Sequence, residues 1–120
     1  ISPDELHALI ESGAAPVIID VRADSSRMLQ PQRIPGAMLY DMSSSKRAIE
    51  IDGPDREIII YCACPNEASA VMLARTLMGR GFKRVRPLHG GIDAWVERGY
   101  GVEHVISVTP ATLATAEAGA

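Results

Sequence analysis

The thiol of Cys62 stands where a β-branched run ends. Ile58-Ile59-Ile60-Tyr61-Cys62 gives way to Ala63-Cys64-Pro65-Asn66-Glu67 and then to an Ala/Leu/Met-rich stretch from Ala68 onward. Those residue types predict strand, short loop and helix in that order. Cys62 is thereby set at the carboxyl end of a strand, just before a helix. Loop N–H groups and the positive end of the helix dipole favour a thiolate in that place. A thiolate among amides is a nucleophile that can hold an anionic adduct, so Cys62 is the candidate for covalent chemistry. Cys64 could resolve such an adduct or trap an oxidised form, but the favoured reading is a small packed residue of the loop. A disulfide between residues two apart is strained, which points to thiols kept in a reducing, cytoplasmic compartment. Cys62, Cys64 and His89 lack a fourth ligand and the spacing of a zinc site, so neither metal nor cofactor is expected.

The elements that must position this thiol can be traced along the chain. Ser2-Pro3-Asp4-Glu5 has the N-cap, the first-position proline and the capping-box glutamate of a helix start. Leu6, Leu9 and Ile10 give that helix its apolar stripe, and Gly13 stops it. Pro16–Arg22 is an apolar run ending in charge, the pattern of a buried parallel strand. Residues 23–33 are polar and irregular, with one helical turn expected near Arg27–Leu29, and a short strand is expected over Ala37–Tyr40. A loop with a short helix near 44–50 leads to the strand Glu57–Cys62, and Glu67–Arg80 carries the strongest helical period. Arg84–Leu88 is a strand, His89-Gly90-Gly91 a tight turn, and Ile92–Arg98 a short helix around Trp95. This alternation predicts an α/β fold with a mainly parallel sheet. Ligands of such sheets bind beyond the carboxyl ends of the strands, where Asp20, Arg22, Cys62 and His89 all fall. Polar residues must also appear wherever strands leave a core, so Arg22 and His89 carry a structural reading beside the functional one.

Composition narrows the classes. One domain is expected for 120 residues, and a core poor in aromatics (4%) must be built of Ile, Val, Leu, Met and Ala. A net charge of −3 argues against a nucleic-acid partner and a polybasic membrane patch. No apolar run reaches the length of a bilayer span, and no signal peptide is evident. The first residue is Ile1 rather than Met, as in a mature form or an excised domain. We expect residues 1–104 to form the domain and residues 105–120, rich in Ala and Thr without apolar period, to be a weakly ordered tail.

Four segments in order resemble the rhodanese-like domain, a sulfur-transfer module, over about residues 1–103. Asp20-Val21-Arg22 is similar to that family's D-x-R, and Arg33-Ile34-Pro35-Gly36-Ala37 to its H-I-P-G-A with Arg33 in place of His. Tyr61-Cys62 is similar to the Y-C that opens its active loop, and Leu88–Trp95 to L-x-G-G-x-x-A-W. The resemblance implies a rhodanese-like five-stranded, mainly parallel sheet with helices on both faces. It also implies that Cys62 carries sulfane sulfur as a persulfide, within a substrate loop of Ala63, Cys64, Pro65, Asn66, Glu67 and Ala68. Asp20, Arg22, His89, Gly90 and Gly91 would support the site, with Gly90-Gly91 allowing close backbone approach. The implied partner is a small sulfur donor or a persulfidated protein. The Cys-x-Cys-Pro-Asn-Glu loop is similar to those of domains attached to bacterial membrane proteins, which would set this one on the cytoplasmic face.

One departure shapes the chemistry. The family's loop commonly carries an Arg or Lys that binds the thiosulfate oxyanion, whereas here no Arg or Lys lies between Cys62 and Arg75. Glu67 stands where a cation is usual. A carboxylate ~4 Å from an anionic donor would repel it by about 4 kcal/mol at an effective dielectric near 20. The same Glu67 could instead sit in the first helical turn, favourable to the dipole. The expected activity is therefore a sulfurtransferase using a donor other than thiosulfate. A non-catalytic regulatory or sensor domain of a larger protein is the alternative. A phosphatase or arsenate reductase on this fold needs C-x5-R to clamp its oxyanion, and the position in question is Ala68.

Overall fold

The chain is described by a computed structural model over residues 1–40, 51, 53–63 and 68–104. The short helix expected near 44–50, the loop Cys64–Glu67 and the tail 105–120 lie outside the described residues.

Four parallel strands form the main sheet: β1 (Val17–Asp20), β3 (Met38–Leu39), β4 (Glu57–Tyr61) and β5 (Arg84–Pro87), in the order β3-β1-β4-β5. The helices are α1 (Pro3–Glu11), α2 (Asp24–Leu29), α3 (Ala68–Gly79) and α4 (Gly91–Glu97). Two further strands, β2 (Gln32–Arg33) and β6 (Glu103–His104), pair antiparallel in a separate small sheet. The α/β class and the mainly parallel sheet are as expected. The count differs, since the main sheet has four strands among the described residues and not five.

Strand residues alternate between two cores. Ile19, Ile58, Ile60 and Val85 pack with Ala70, Leu73, Ala74 and Leu77 of α3. Ile18, Ile59 and Tyr61 face the other way, against Leu6 of α1 and Ile92 and Trp95 of α4. Helices therefore cover both faces, and β4, flanked by β1 and β5, is buried on both. That explains why Ile58-Ile59-Ile60 is continuous rather than alternating. Register sets Asp20 beside Tyr61, so the carboxyl ends of the two central strands finish level.

The start of α1 forms by the local chemistry expected of it. The Glu5 N–H donates to Ser2 Oγ (3.1 Å) and the Ser2 N–H to Glu5 Oε1 (2.9 Å), closing the capping box. The Ser2 N–H donated to the Glu5 carboxylate holds that carboxyl below its ordinary range. Residues 24–33 are more ordered than their polarity suggested. In place of a single turn near Arg27–Leu29 there is the six-residue α2 and then β2. What stabilises that segment is tertiary: Arg22 Nη1 donates to Gln30 O (2.8 Å) and Nη2 to Gln32 O (2.9 Å), tying the end of α2 and the start of β2 to the end of β1. Neither bond leaves a periodic signal in sequence.

Candidate active site

The carboxyl end of β4 is fixed from three sides. The Val21 N–H donates to Tyr61 O (3.0 Å), Leu88 N–H to Ile60 O (2.8 Å) and Ile92 N–H to Cys62 O (3.2 Å). Cys62 follows directly, 2% exposed, with its backbone held by the first turn of α4. Gly91 makes this approach geometrically feasible. Its φ is +60°, and a Cβ built there would lie 1.9 Å from Cys62 O. Gly90, also left-handed at φ +76°, would bring a Cβ 2.5 Å from that of Ala94.

Beside the thiol lies a cavity of about 220 Å³ lined by Val21, Arg22, Ala23, Ser26, Ala63 and Ser69 in addition to Cys62. The sequence had singled out Cys62, Ala63 and Arg22, and the structure brings them together. His89 is exposed and is not among the described lining; its N–H donates to Ile1 O (2.8 Å). Ala68 is exposed at the start of α3, one residue before Ser69, which does line the cavity. Of the expected loop, Cys64, Pro65, Asn66 and Glu67 lie outside the described residues.

Behind the cavity is a buried polar hub. Arg22 Nε donates to both oxygens of Asp20 (3.1 Å each) and Nη2 to Oδ2 (2.8 Å), with both side chains 0% exposed. Tyr61 Oη donates to Asp20 Oδ2 (3.0 Å) and accepts from the Ile34 N–H (3.2 Å), and the Arg22 guanidinium lies 5.8 Å from the Tyr61 ring centroid. Burial, then the charge of Asp20, pushes the Tyr61 phenol well above its ordinary value of 10.0. Arg27, 5% exposed, approaches Asp20 Oδ1 at 3.7 Å and donates to Arg22 O (2.5 Å). Among the described residues no buried side-chain nitrogen or oxygen lacks a partner. The expected D-x-R pair thus fixes the strand ends and the segment α2–β2.

Sequence reasoning missed Ser26 and Arg27, which sit in a stretch without motif. The available signal was topological: the segment leaving the carboxyl end of β1 must pass over the same rim as Cys62. The turn Ile34-Pro35-Gly36-Ala37 closes by Ala37 N–H to Ile34 O (3.1 Å) with Gly36 at φ +80°, the geometry of a type II turn.

The model of the rhodanese-like domain matches residues 2–98. The chain belongs to the rhodanese-like domain family. It is 30% identical over 95 residues to thiosulfate sulfurtransferase GlpE of Pseudomonas savastanoi pv. phaseolicola, covering 79% of this chain and 84% of that protein. The protein of the same name from Pseudomonas syringae pv. syringae matches at the same identity and coverage. Among solved structures, the Alr3790 protein from Anabaena sp. superposes with a TM-score of 0.74 at 29% identity, covering 88% of this chain and 83% of that one. A Rhodopseudomonas palustris protein described as a possible tyrosine phosphatase superposes at 0.67 with 27% identity, covering 85% and 82%. The rhodanese-like frame accounts for the mainly parallel sheet with helices on both faces. No helix among the described residues is long and apolar enough to cross a membrane.

Proposed function

We propose that this rhodanese-like domain is a sulfurtransferase that carries sulfane sulfur as a persulfide on Cys62. The observation that carries the reading is the location of Cys62: a thiol at the end of the central parallel strand, buried in the protein yet opening on a small cavity. The Cys62 thiolate attacks the outer sulfur of a donor R–S–SH. The new Cys62 S–S bond forms as the donor's own S–S bond breaks, and R–S⁻ departs with that bond's electron pair. An acceptor thiolate then attacks the outer sulfur of Cys62–S–SH, takes it as its own persulfide and returns Cys62 as thiolate. The cycle is neutral in electrons and needs no cofactor.

The cavity, at about 220 Å³ over its described lining, suits the sulfur-bearing end of a donor. That end belongs to a small persulfide or polysulfide, or to a persulfidated side chain presented by a protein. Thiosulfate is disfavoured as donor. The Arg22 guanidinium beside the cavity is already committed to Asp20, Gln30 and Gln32, and no other lining residue among those described is cationic. Nor does the sequence offer Arg or Lys between Cys62 and Arg75. A phosphatase reading meets the same obstacle more severely, because Ala68 occupies the clamp position of C-x5-R.

Intact mass after incubation with inorganic polysulfide, an alkyl persulfide or thiosulfate tests the reading. A gain of one sulfur atom from the first two, absent in Cys62→Ser, is the expected result. Loading from thiosulfate as fast as from polysulfide overturns the donor preference. No loading from any donor overturns sulfur transfer and favours the non-catalytic sensor reading.

A further inference from the structure

Two serines line the Cys62 cavity, Ser26 on α2 and Ser69 at the start of α3. Two other hydroxyls at or in helices are engaged with backbone: Ser12 Oγ, at the C-cap of α1, donates to Leu9 O (2.7 Å) and Thr76 Oγ1 of α3 to Met72 O (3.1 Å). Neither Ser26 nor Ser69 has such a partner among the described residues, and each is only partly exposed. Both stand on fixed elements. Arg22 holds α2 through Gln30 O, and Ala70, Leu73, Ala74 and Leu77 anchor α3 in the core. The remaining described lining is apolar, apart from the thiol itself and the committed Arg22.

We infer that the Ser26 and Ser69 hydroxyls contact the sulfur donor and donate hydrogen bonds to the sulfur that leaves as R–S⁻. This rests on the sulfur-transfer reading above. As the bond to the outer sulfur breaks, negative charge builds on the inner one, in a cavity whose described lining offers no uncommitted cation. Fixed hydroxyl donors at that place stabilise the charge as it develops rather than the neutral donor. They suit a thiol-derived persulfide, whose leaving charge falls on a single sulfur that two donors can reach.

The test is the rate of Cys62 persulfide formation from a series of alkyl and aryl persulfides of differing leaving-thiol acidity, read by mass. It compares the wild-type chain with Ser26→Ala, Ser69→Ala, the double variant, and Ser26→Thr and Ser69→Thr, which keep the hydroxyl. Each alanine is expected to slow loading about tenfold, as for a lost hydrogen bond to a charged group. The loss should be greatest for the most basic leaving thiols, and threonine should restore most of the rate. Alkylation of Cys62 by iodoacetamide, which releases no thiolate into the cavity, should be unchanged. Equal loading by wild type and the double variant overturns the inference, as does a parallel fall in loading and alkylation. A wild-type chain that takes sulfur from no donor fails the parent reading instead, and is distinguishable for that reason.

Discussion

Gly91→Ala separates the two things a glycine can do at this site. At Gly36 (φ +80°) an added Cβ meets nothing within 4 Å, so Gly36→Ala should cost only the left-handed backbone conformation, about 1–2 kcal/mol. At Gly91 (φ +60°) the same strain applies, but the Cβ would stand 1.9 Å from Cys62 O and 3.1 Å from Cys62 C. Those are backbone atoms at the end of the central strand and cannot swing aside as a side-chain tip can. Relief requires separating the start of α4 from the end of β4, which breaks the Ile92 N–H to Cys62 O hydrogen bond (3.2 Å) and opens the packing of Ile92 and Trp95. With the lost hydrogen bond and the repacking added, we expect Gly91→Ala to cost about 3–5 kcal/mol. Urea unfolding followed by fluorescence of Trp95 measures both variants on one scale, and sulfur loading of Cys62 gives a second readout. A displacement of the thiol on the order of 1 Å should slow loading about a hundredfold in Gly91→Ala and leave Gly36→Ala near wild type. Equal destabilisation of the two variants, or normal loading by Gly91→Ala, would refute the claim that Gly91 exists to bring α4 against the Cys62 backbone.

Further outcomes follow from the hub behind the cavity. Tyr61→Phe removes the donor to Asp20 and the acceptor of the Ile34 N–H, at a cost of about 1–3 kcal/mol in urea unfolding at neutral pH. Its pH profile carries a second sign. The folded phenol titrates above its ordinary value of 10.0, so in the wild type the unfolded chain loses that proton first. The contribution is full below pH 10.0 and declines as pH rises toward the folded-state value; the alkaline fall in stability should be shallower in Tyr61→Phe, and an unchanged slope counts against the buried phenol. Arg22→Met leaves the Asp20 carboxylate buried without its bidentate partner and should cost about 3–5 kcal/mol. The double variant Asp20→Asn/Arg22→Met should cost less than the two single changes together, and strict additivity would argue against the coupling.

How much of this was legible in sequence depends on the range of the interaction. The capping box of α1 lies within four residues and could be read directly from Ser2 and Glu5. The strands β1 and β4 declared themselves by apolar runs, since a strand buried on both faces must be apolar throughout, whereas β5, at the sheet edge, alternates exposed Arg84 and Arg86 with buried Val85. The pair β2–β6 did not declare itself, because a two-residue strand has no period and Gln32 pairs with His104 from a distant part of the chain. The location of Cys62 was legible because strand, loop and helix are successive in the chain. Ser26 was not, because its route to the cavity runs through Arg22, whose hydrogen bonds to Gln30 O and Gln32 O span eight and ten residues. The G-G pair was legible as a motif, yet the contact that gives it meaning, Gly91 on Cys62 O, joins residues far apart in the chain.

Arg22 poses a final question, since it is a cation on the wall of the cavity in a site whose loop has none. It could serve an anionic donor only by turning its guanidinium from Asp20 toward the thiol. That movement would strand a carboxylate that is 0% exposed and release Gln30 O and Gln32 O, a loss of about 3–5 kcal/mol for the broken buried pair alone. In return, an ion pair with a donor at ~4 Å and an effective dielectric near 20 would gain about 4 kcal/mol, before the donor's own desolvation is counted. The two terms cancel at best, and the bare Asp20 would then repel the anion that Arg22 had moved to meet. Arg22 is thus held in place by the same carboxylate that neutralises it. The electrostatics of the described wall are those of a neutral cavity with two hydroxyl donors, in spite of the arginine that forms part of it. A change that freed the guanidinium, such as Asp20→Asn, should for the same reason raise sulfur loading from thiosulfate relative to polysulfide while lowering stability. If that ratio stays fixed as stability falls, the neutral-cavity argument fails.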